Sequence, residues 1–167
     1  MRTNLEIYDK HVAFFGSGFS NFYPCTFIEN GITWKSSEQC FMAKKAEFFG
    51  DSEMYEAIIN TDSPRKAKSF GRKVKNFDAD KWSEVSFQKM YEACFAKFSQ
   101  NDDLKNFILS EDFKGKGFIE GSPFDAIWGV KMDWRNSDID DENNWKGKNL
   151  LGKVLDKVRD DLKKNYF

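Results

Sequence analysis

Between Asp80 and Ser99 the chain sets Phe87, Met90, Tyr91, Cys94, Phe95 and Phe98 three and four residues apart. That spacing returns each large side chain to one face of an α-helix, so it predicts a long helix from near Asp80 to near Ser99 with a core-facing stripe. Shorter helices flank it. Ser36 followed by Gln39 reads as a capping box opening a helix that runs to about Phe48. Asp51 or Ser52 caps a second, ending near Asn60, and Ser63-Pro64 opens a third that Gly71 closes. Leu104 to Leu109 form another short helix. Asn149 to Lys164 form a last amphipathic one through Leu151, Val154, Leu155, Val158 and Leu162.

Strand signals are few. Val12 to Phe15 and Thr26 to Trp34 read as short strands, the latter folding back at Glu29-Asn30-Gly31, where Asn-Gly marks a hairpin. Phe118 to Gly121 and Ile127 to Met132 also read as extended. The sum is a mostly helical α+β fold with a small sheet. With 167 residues and neither repeat nor low-complexity linker, a single domain over 1–167 is expected.

Composition narrows the function. A net charge of −1 and a pI near 5.9 supply no overall basic field for duplex DNA, though they leave room for a local phosphate pocket. Eighteen Phe and five Trp exceed the ordinary share. Most should fill the core, leaving some to stack on a ring. Cys25, Cys40 and Cys94 form neither a zinc pattern nor a disulfide framework, which suits a reducing cytosol. The first residues lack the apolar run of a signal peptide, and no stretch reaches membrane-span length. A cytoplasmic protein without membrane association, metal or cofactor is expected.

Three short motifs join a Trp to polar or glycine neighbours: Trp34-Lys35-Ser36-Ser37-Glu38 running on to Lys45, Asp125-Ala126-Ile127-Trp128-Gly129, and Trp145-Lys146-Gly147-Lys148-Asn149-Leu150-Leu151-Gly152. On a helix starting at Ser36, Glu38, Phe41 and Lys45 share a face beside Met42 and Phe49. A carboxylate and an ammonium on an apolar stripe are costly unless something polar meets them. A structural ion pair is one answer, but seven residues correspond to about 10 Å of helix rise. Asp125 either ends a turn after Gly121-Ser122-Pro123 or serves as an active carboxylate, and Trp128 is either core or a stacking surface. Asn149 reads as a helix N-cap, and the backbone N–H groups from Gly147 to Gly152 could hold a phosphate at the helix start.

Together with Phe19-Ser20-Asn21-Phe22-Tyr23-Pro24 and Ser63-Pro64…Gly71-Arg72, these motifs resemble the NADAR family, also called YbiA-like, in the same order from about Phe14 to Leu162. The resemblance implies cleavage of N-glycosidic bonds. It carries Glu38, Lys45 and Asp125 over as catalytic. Glu38, in the first helical turn, would face the positive charge that develops at C1′ of a ribose. Lys45 would protonate the leaving nitrogen or attack C1′ as an amine, and Asp125 would activate water or bind a ribose hydroxyl. Ser20, Asn21, Phe22, Trp34, Arg72, Glu120, Trp128, Gly129, Gly147 and Asn149 are implied to bind substrate or shape its site, Arg72 being as well a solvated charge.

Departures from the family pattern are small. Gln39, Cys40 and Met42 stand where His, an aromatic residue and Gln are common, which bears on substrate range. The acidic run Asp138, Asp140, Asp141 and Glu142 resembles a calcium loop only superficially, because Asn143 stands where glycine is needed. His11 is the only histidine, and no Ser-His-Asp or Cys-His set is apparent. Three functions compete. The first is hydrolysis of a phosphorylated small-molecule N-riboside such as the ribosylamino-pyrimidines of riboflavin synthesis. The second is removal of ADP-ribose from guanine in an ADP-ribosyl nucleotide or in ADP-ribosylated nucleic acid. The third is non-catalytic binding of ADP-ribose-like or NAD-derived nucleotides.

Overall fold

The computed structural model describes residues 1–165. It is a mostly helical α+β structure in two compact units, one of Met1–Ser20 with Asp102–Phe167 and one of Asn21–Asn101. The first unit is built on a three-stranded sheet in the order β1 (Leu5–Ile7), β2 (His11–Phe14), β5 (Gly117–Glu120). β1 runs antiparallel to β2, with Leu5 opposite Phe14, and β5 runs parallel to it, with His11 opposite Gly117. All four residues of β2 are buried, as expected of a central strand covered on both faces. Phe19 anchors the core of this unit. Its ring centroid lies 4.5 Å from that of Phe107 and 4.6 Å from that of Phe118, with Phe14 and Phe113 within 5.6 Å. Much of the surplus phenylalanine is therefore core.

Helix α6 (Leu150–Lys164) lies on β5 and buries the expected Leu151, Val154, Leu155, Val158 and Leu162. It also buries Arg159, whose Nη1 donates to the Phe113 carbonyl at 3.2 Å while the guanidinium sits 4.5 Å from the Phe118 ring centre. Gly152 lets α6 approach β5, because a Cβ there would collide with the Phe118 carbonyl and the Asn149 side chain. A short helix, α5 (Asp102–Ile108), and a second apolar cluster of Ala13, Ile119, Val130, Met132 and Ile139 complete the unit.

The second unit begins with the hairpin β3 (Phe27–Glu29) and β4 (Ile32–Trp34). Its turn puts both Asn30 (φ 53°) and Gly31 (φ 74°) in the left-handed region, as the Asn-Gly pair predicts. Four helices follow: α1 (Ser37–Phe48), α2 (Ser52–Ile59), α3 (Pro64–Gly71) and α4 (Ala79–Gln100). Side chains of Ser36, Asp51, Ser63 and Asp78 cap them in turn. Helix α1 packs against the other three and is the centre of this unit.

Four expectations change. The sheet content is two small sheets, not one, and β1 escapes a pattern search because it is three residues long with only Leu5 partly buried. Gly71 does not close α3 by a left-handed turn; it is the last helical residue, and Arg72 after it is right-handed. Its missing side chain makes room for Met42 of α1. Residues 127–132 form no strand, since the carbonyls of 127–130 bond to N–H groups of Lys146, Asn149 and the first residues of α6 without ladder register, and Lys131 turns left-handed at φ 54°.

Gly152→Ala should cost about 1–3 kcal/mol, the usual penalty for forcing a methyl group into close packing. Urea denaturation of the variant checks this, and wild-type stability would show that α6 can move off β5.

Candidate active site

The candidate residues fall into two groups, one within each unit. In the second unit the start of α1 is the organising feature. The first N–H groups of a helix lack intrahelical acceptors. Here Ser36 Oγ accepts from Gln39 N at 3.1 Å, and the Asn21 carbonyl accepts from Glu38 N at 3.0 Å. The capping box is only half made. Gln39 Oε1 turns to Lys35 N at 2.8 Å, while its Nε2 donates to the carbonyls of Ile58 and Thr61. Asn21 is buried, and its Oδ1 accepts from Ser37 Oγ at 2.9 Å while its Nδ2 meets Met90 Sδ at 3.4 Å. Its amide thus holds the residue before Glu38, which favours a positioning role over reading a base edge.

Glu38 is itself buried, at 7% exposure. Nearly two turns further along the same face, Lys45 is half-buried, with Nζ 4.4 Å from the Phe77 ring centre. Its neighbour Lys44 is a useful contrast. Lys44 Nζ bonds Glu29 at 2.8 Å and Glu92 at 3.0 Å; burial alone would lower its pKa, but those hydrogen bonds outweigh it and hold the ammonium above its ordinary value. Lys45 makes no ion pair or hydrogen bond among the described residues. Burial pushes its pKa down, the Glu38 carboxylate pulls it up, and the Arg72 guanidinium adds to the fall. Glu38, Lys45 and Arg72 therefore share one electrostatic neighbourhood without a Glu38–Lys45 salt bridge.

In the first unit two of the motifs zip together. The carbonyls of Ala126, Ile127, Trp128 and Gly129 accept from the N–H groups of Lys148, Leu150, Leu151 and Asn149 at 2.9–3.2 Å. Gly147 is glycine because a Cβ would strike the Gly129 carbonyl and Ala126, a loop-to-loop approach. Gly129 is likewise crowded by the carbonyls of Asp125 and Glu120, each 3.0 Å from where its Cβ would stand. Asp125 Oδ1 accepts from Ile127 N and Trp128 N at 2.9 Å each, which closes the turn. Its Oδ2 has no hydrogen-bond partner among the described residues.

Asn149 precedes α6 in the left-handed region (φ 53°, ψ 41°) and is 2% exposed. Its side chain does not cap the helix. Instead Oδ1 accepts from Glu120 N at 3.0 Å and Nδ2 donates to the Phe118 carbonyl at 2.9 Å, stitching the loop to the free edge of β5. Of the N–H groups expected to form a helix-start phosphate site, those of Lys148 to Leu151 are already bonded to carbonyls of residues 126–129. Gly147 and Asn149 shape the loop.

The remaining candidates are scattered. Trp34 is 2% exposed at the end of β4, with Nε1 donating to the Glu29 carbonyl at 3.1 Å, so its ring packs in the hairpin. Phe22 is half-buried with Lys68 Nζ 5.7 Å from its ring centre, and Ser20 is half-buried with its N–H on the Ser17 carbonyl. Glu120 and Trp128 are half-buried. Sequence reasoning passed over Lys97, fully buried on α4 with its Nζ near the rings of Phe98 and Tyr23. A lysine three residues after Cys94 on the core stripe was the available signal. Among the described residues no group of His, Cys, Asp or Glu is arranged to hold a metal, and no helix is long and apolar enough to cross a membrane.

A family profile described as the NADAR domain matches residues 10–163, a span that includes both groups. Protein irg-1 of Caenorhabditis elegans is 39% identical over 86% of this chain and 74% of its own. N-glycosidase R617 of Acanthamoeba polyphaga mimivirus is 38% identical over 92% and 96%. The solution structure of the Escherichia coli protein YbiA superposes with a TM-score of 0.77 at 29% identity, covering 99% of this chain and 92% of that one.

Lys45 should titrate below an exposed lysine when followed by NMR at Nζ. Glu38→Gln should lower its midpoint further and Arg72→Gln should raise it, each following from the sign of the charge removed. A midpoint indifferent to both changes would separate Lys45 from its two neighbours.

Proposed function

This chain belongs to the NADAR family, and from that membership we propose that it is an N-glycosidase that hydrolyses the C1′–N bond of a phosphorylated N-riboside. The hydrolase class has the support of R617, a relative named as an N-glycosidase and matched along nearly its whole length. One observation carries the site assignment: Lys45 stands on the face of α1 that bears buried Glu38, outside any ion pair among the described residues, while adjacent Lys44 is locked into two.

The chemistry asks for little more. Breaking the C1′–N bond builds positive charge on the sugar, and a fixed carboxylate such as Glu38 stabilises it electrostatically. The leaving nitrogen needs a proton. Lys45, with its pKa lowered, supplies that proton or attacks C1′ as the free amine, giving a Schiff base that water then releases. In either route water adds across the bond, its hydroxyl on C1′ and its proton on nitrogen. Asp125, through Oδ2, is proposed to hold a ribose hydroxyl or the water.

The preferred substrate is a ribosylamino-pyrimidine phosphate of the kind found in early riboflavin synthesis; ADP-ribosyl-guanine is the alternative. The cysteines are free, which suits the reducing cytoplasm proposed as its location, and a single domain over 1–167 is proposed on the reach of the family profile. Glu38→Gln should abolish turnover while substrate affinity stays within about tenfold, roughly 1.4 kcal/mol. Mass spectrometry of products and calorimetry of binding, run on both substrates, check it. A fully active Glu38→Gln enzyme would sink the assignment.

A further inference from the structure

Phe124 is 83% exposed and Ile127, three residues on, is 54% exposed. Among the described residues no other large apolar side chain given as exposed is as open as Phe124. A single exposed apolar residue needs no explanation. The setting of this one does. A phenylalanine at the tip of a mobile loop can fold down when idle, but the turn that follows this one is tied down by hydrogen bonds. Phe124 N donates to Ser122 Oγ at 3.2 Å, and Asp125 Oδ1 accepts from Ile127 N and Trp128 N at 2.9 Å each. The carbonyls of residues 125–129 are all engaged, by Lys131 and by the 148–151 segment. The side chain thus stands in water on a hydrogen-bonded turn, and Oδ2 of the next residue, Asp125, has no hydrogen-bond partner among the described residues.

We propose that Phe124 is a substrate-contacting specificity residue that stacks on the planar heteroaromatic base of the N-riboside. The proposal rests on the glycosidase reading above and narrows its substrate to ribosides whose leaving group is a flat ring. Two features favour a base over a protein partner. One aromatic residue and one aliphatic residue make a tip far smaller than the roughly 800 Å² that a stable protein interface buries on each partner. Asp125 is also the next residue in sequence, and a flat apolar side chain neighbouring the carboxylate proposed to bind a ribose hydroxyl matches a base joined to a sugar. Base–aromatic stacking ordinarily changes affinity by about tenfold or more per base.

Pseudouridine 5′-phosphate, whose base is joined by a carbon–carbon bond that hydrolysis cannot cleave, is the probe, with ribose 5-phosphate as the ringless control. Calorimetry should show Phe124→Ala binding pseudouridine 5′-phosphate about tenfold more weakly than wild type, with Phe124→Tyr restoring the affinity. Ribose 5-phosphate should bind all three proteins alike. Equal affinity of wild type and Phe124→Ala for the C-nucleotide, failure of wild type to bind it, or an equal loss for ribose 5-phosphate would each overturn the proposal. Because the readout is binding, it stands apart from turnover: a wild type that binds the probe by this ring yet cleaves no N-riboside would cost the glycosidase reading and keep the stacking one.

Discussion

A buried primary amide must find its hydrogen bonds inside the protein, and two asparagines under that constraint set the candidate residues in place. In the first unit Asn149 takes the left-handed conformation that few residues other than glycine adopt readily, and spans from Phe118 O to Glu120 N on the edge of β5. That stitch starts α6 and brings the N–H groups of 148–151 to the carbonyls of the Asp125–Gly129 turn. In the second unit Asn21 gives its carbonyl to Glu38 N and its side chain to Ser37, so that the carboxylate leaves α1 from a fixed point. Both amides make their bonds inside the protein, Asn149 to β5 and Asn21 to Ser37 and Met90.

The two lysines of α1 show how position on one helix decides chemistry. Lys44 and Lys45 are adjacent, hence about 100° apart around the axis. Lys44 falls between two carboxylates and becomes structure. Lys45 falls among Phe77, Glu38 and Arg72, where burial outweighs the one favourable charge and the pKa drops. An ordinary ammonium near pH 7 is a poor acid and almost never a free amine. Lowering its pKa improves it for both of the roles proposed.

Long-period features were legible in the sequence. Helix α4, the caps at Ser36, Asp51 and Ser63, the Asn-Gly turn and the apolar face of α6 all follow from local rules, and all are observed. What escaped depends on partners distant in sequence. Residues 127–132 have the composition of a strand, yet their carbonyls meet a loop about twenty positions away. Gly71 looks like a helix stop, but its reason is Met42 of another helix. Asn149 looks like an N-cap because the residue type is right, and only the position of β5 reveals the other use of its amide. Trp34 sits beside Glu38 in sequence and turns instead into the hairpin. The exposure of Phe124 is likewise invisible until the hydrogen bonds of its turn are seen.

The most direct test of the account is a mass balance on the wild-type protein with ribosylamino-pyrimidine phosphate, following the free heterocyclic amine and ribose phosphate together by mass spectrometry. The account predicts that both appear in equal amounts and over many turnovers, with solvent oxygen at C1′. An intact substrate that remains bound through gel filtration after hours of incubation would contradict it and leave a nucleotide-binding module in its place.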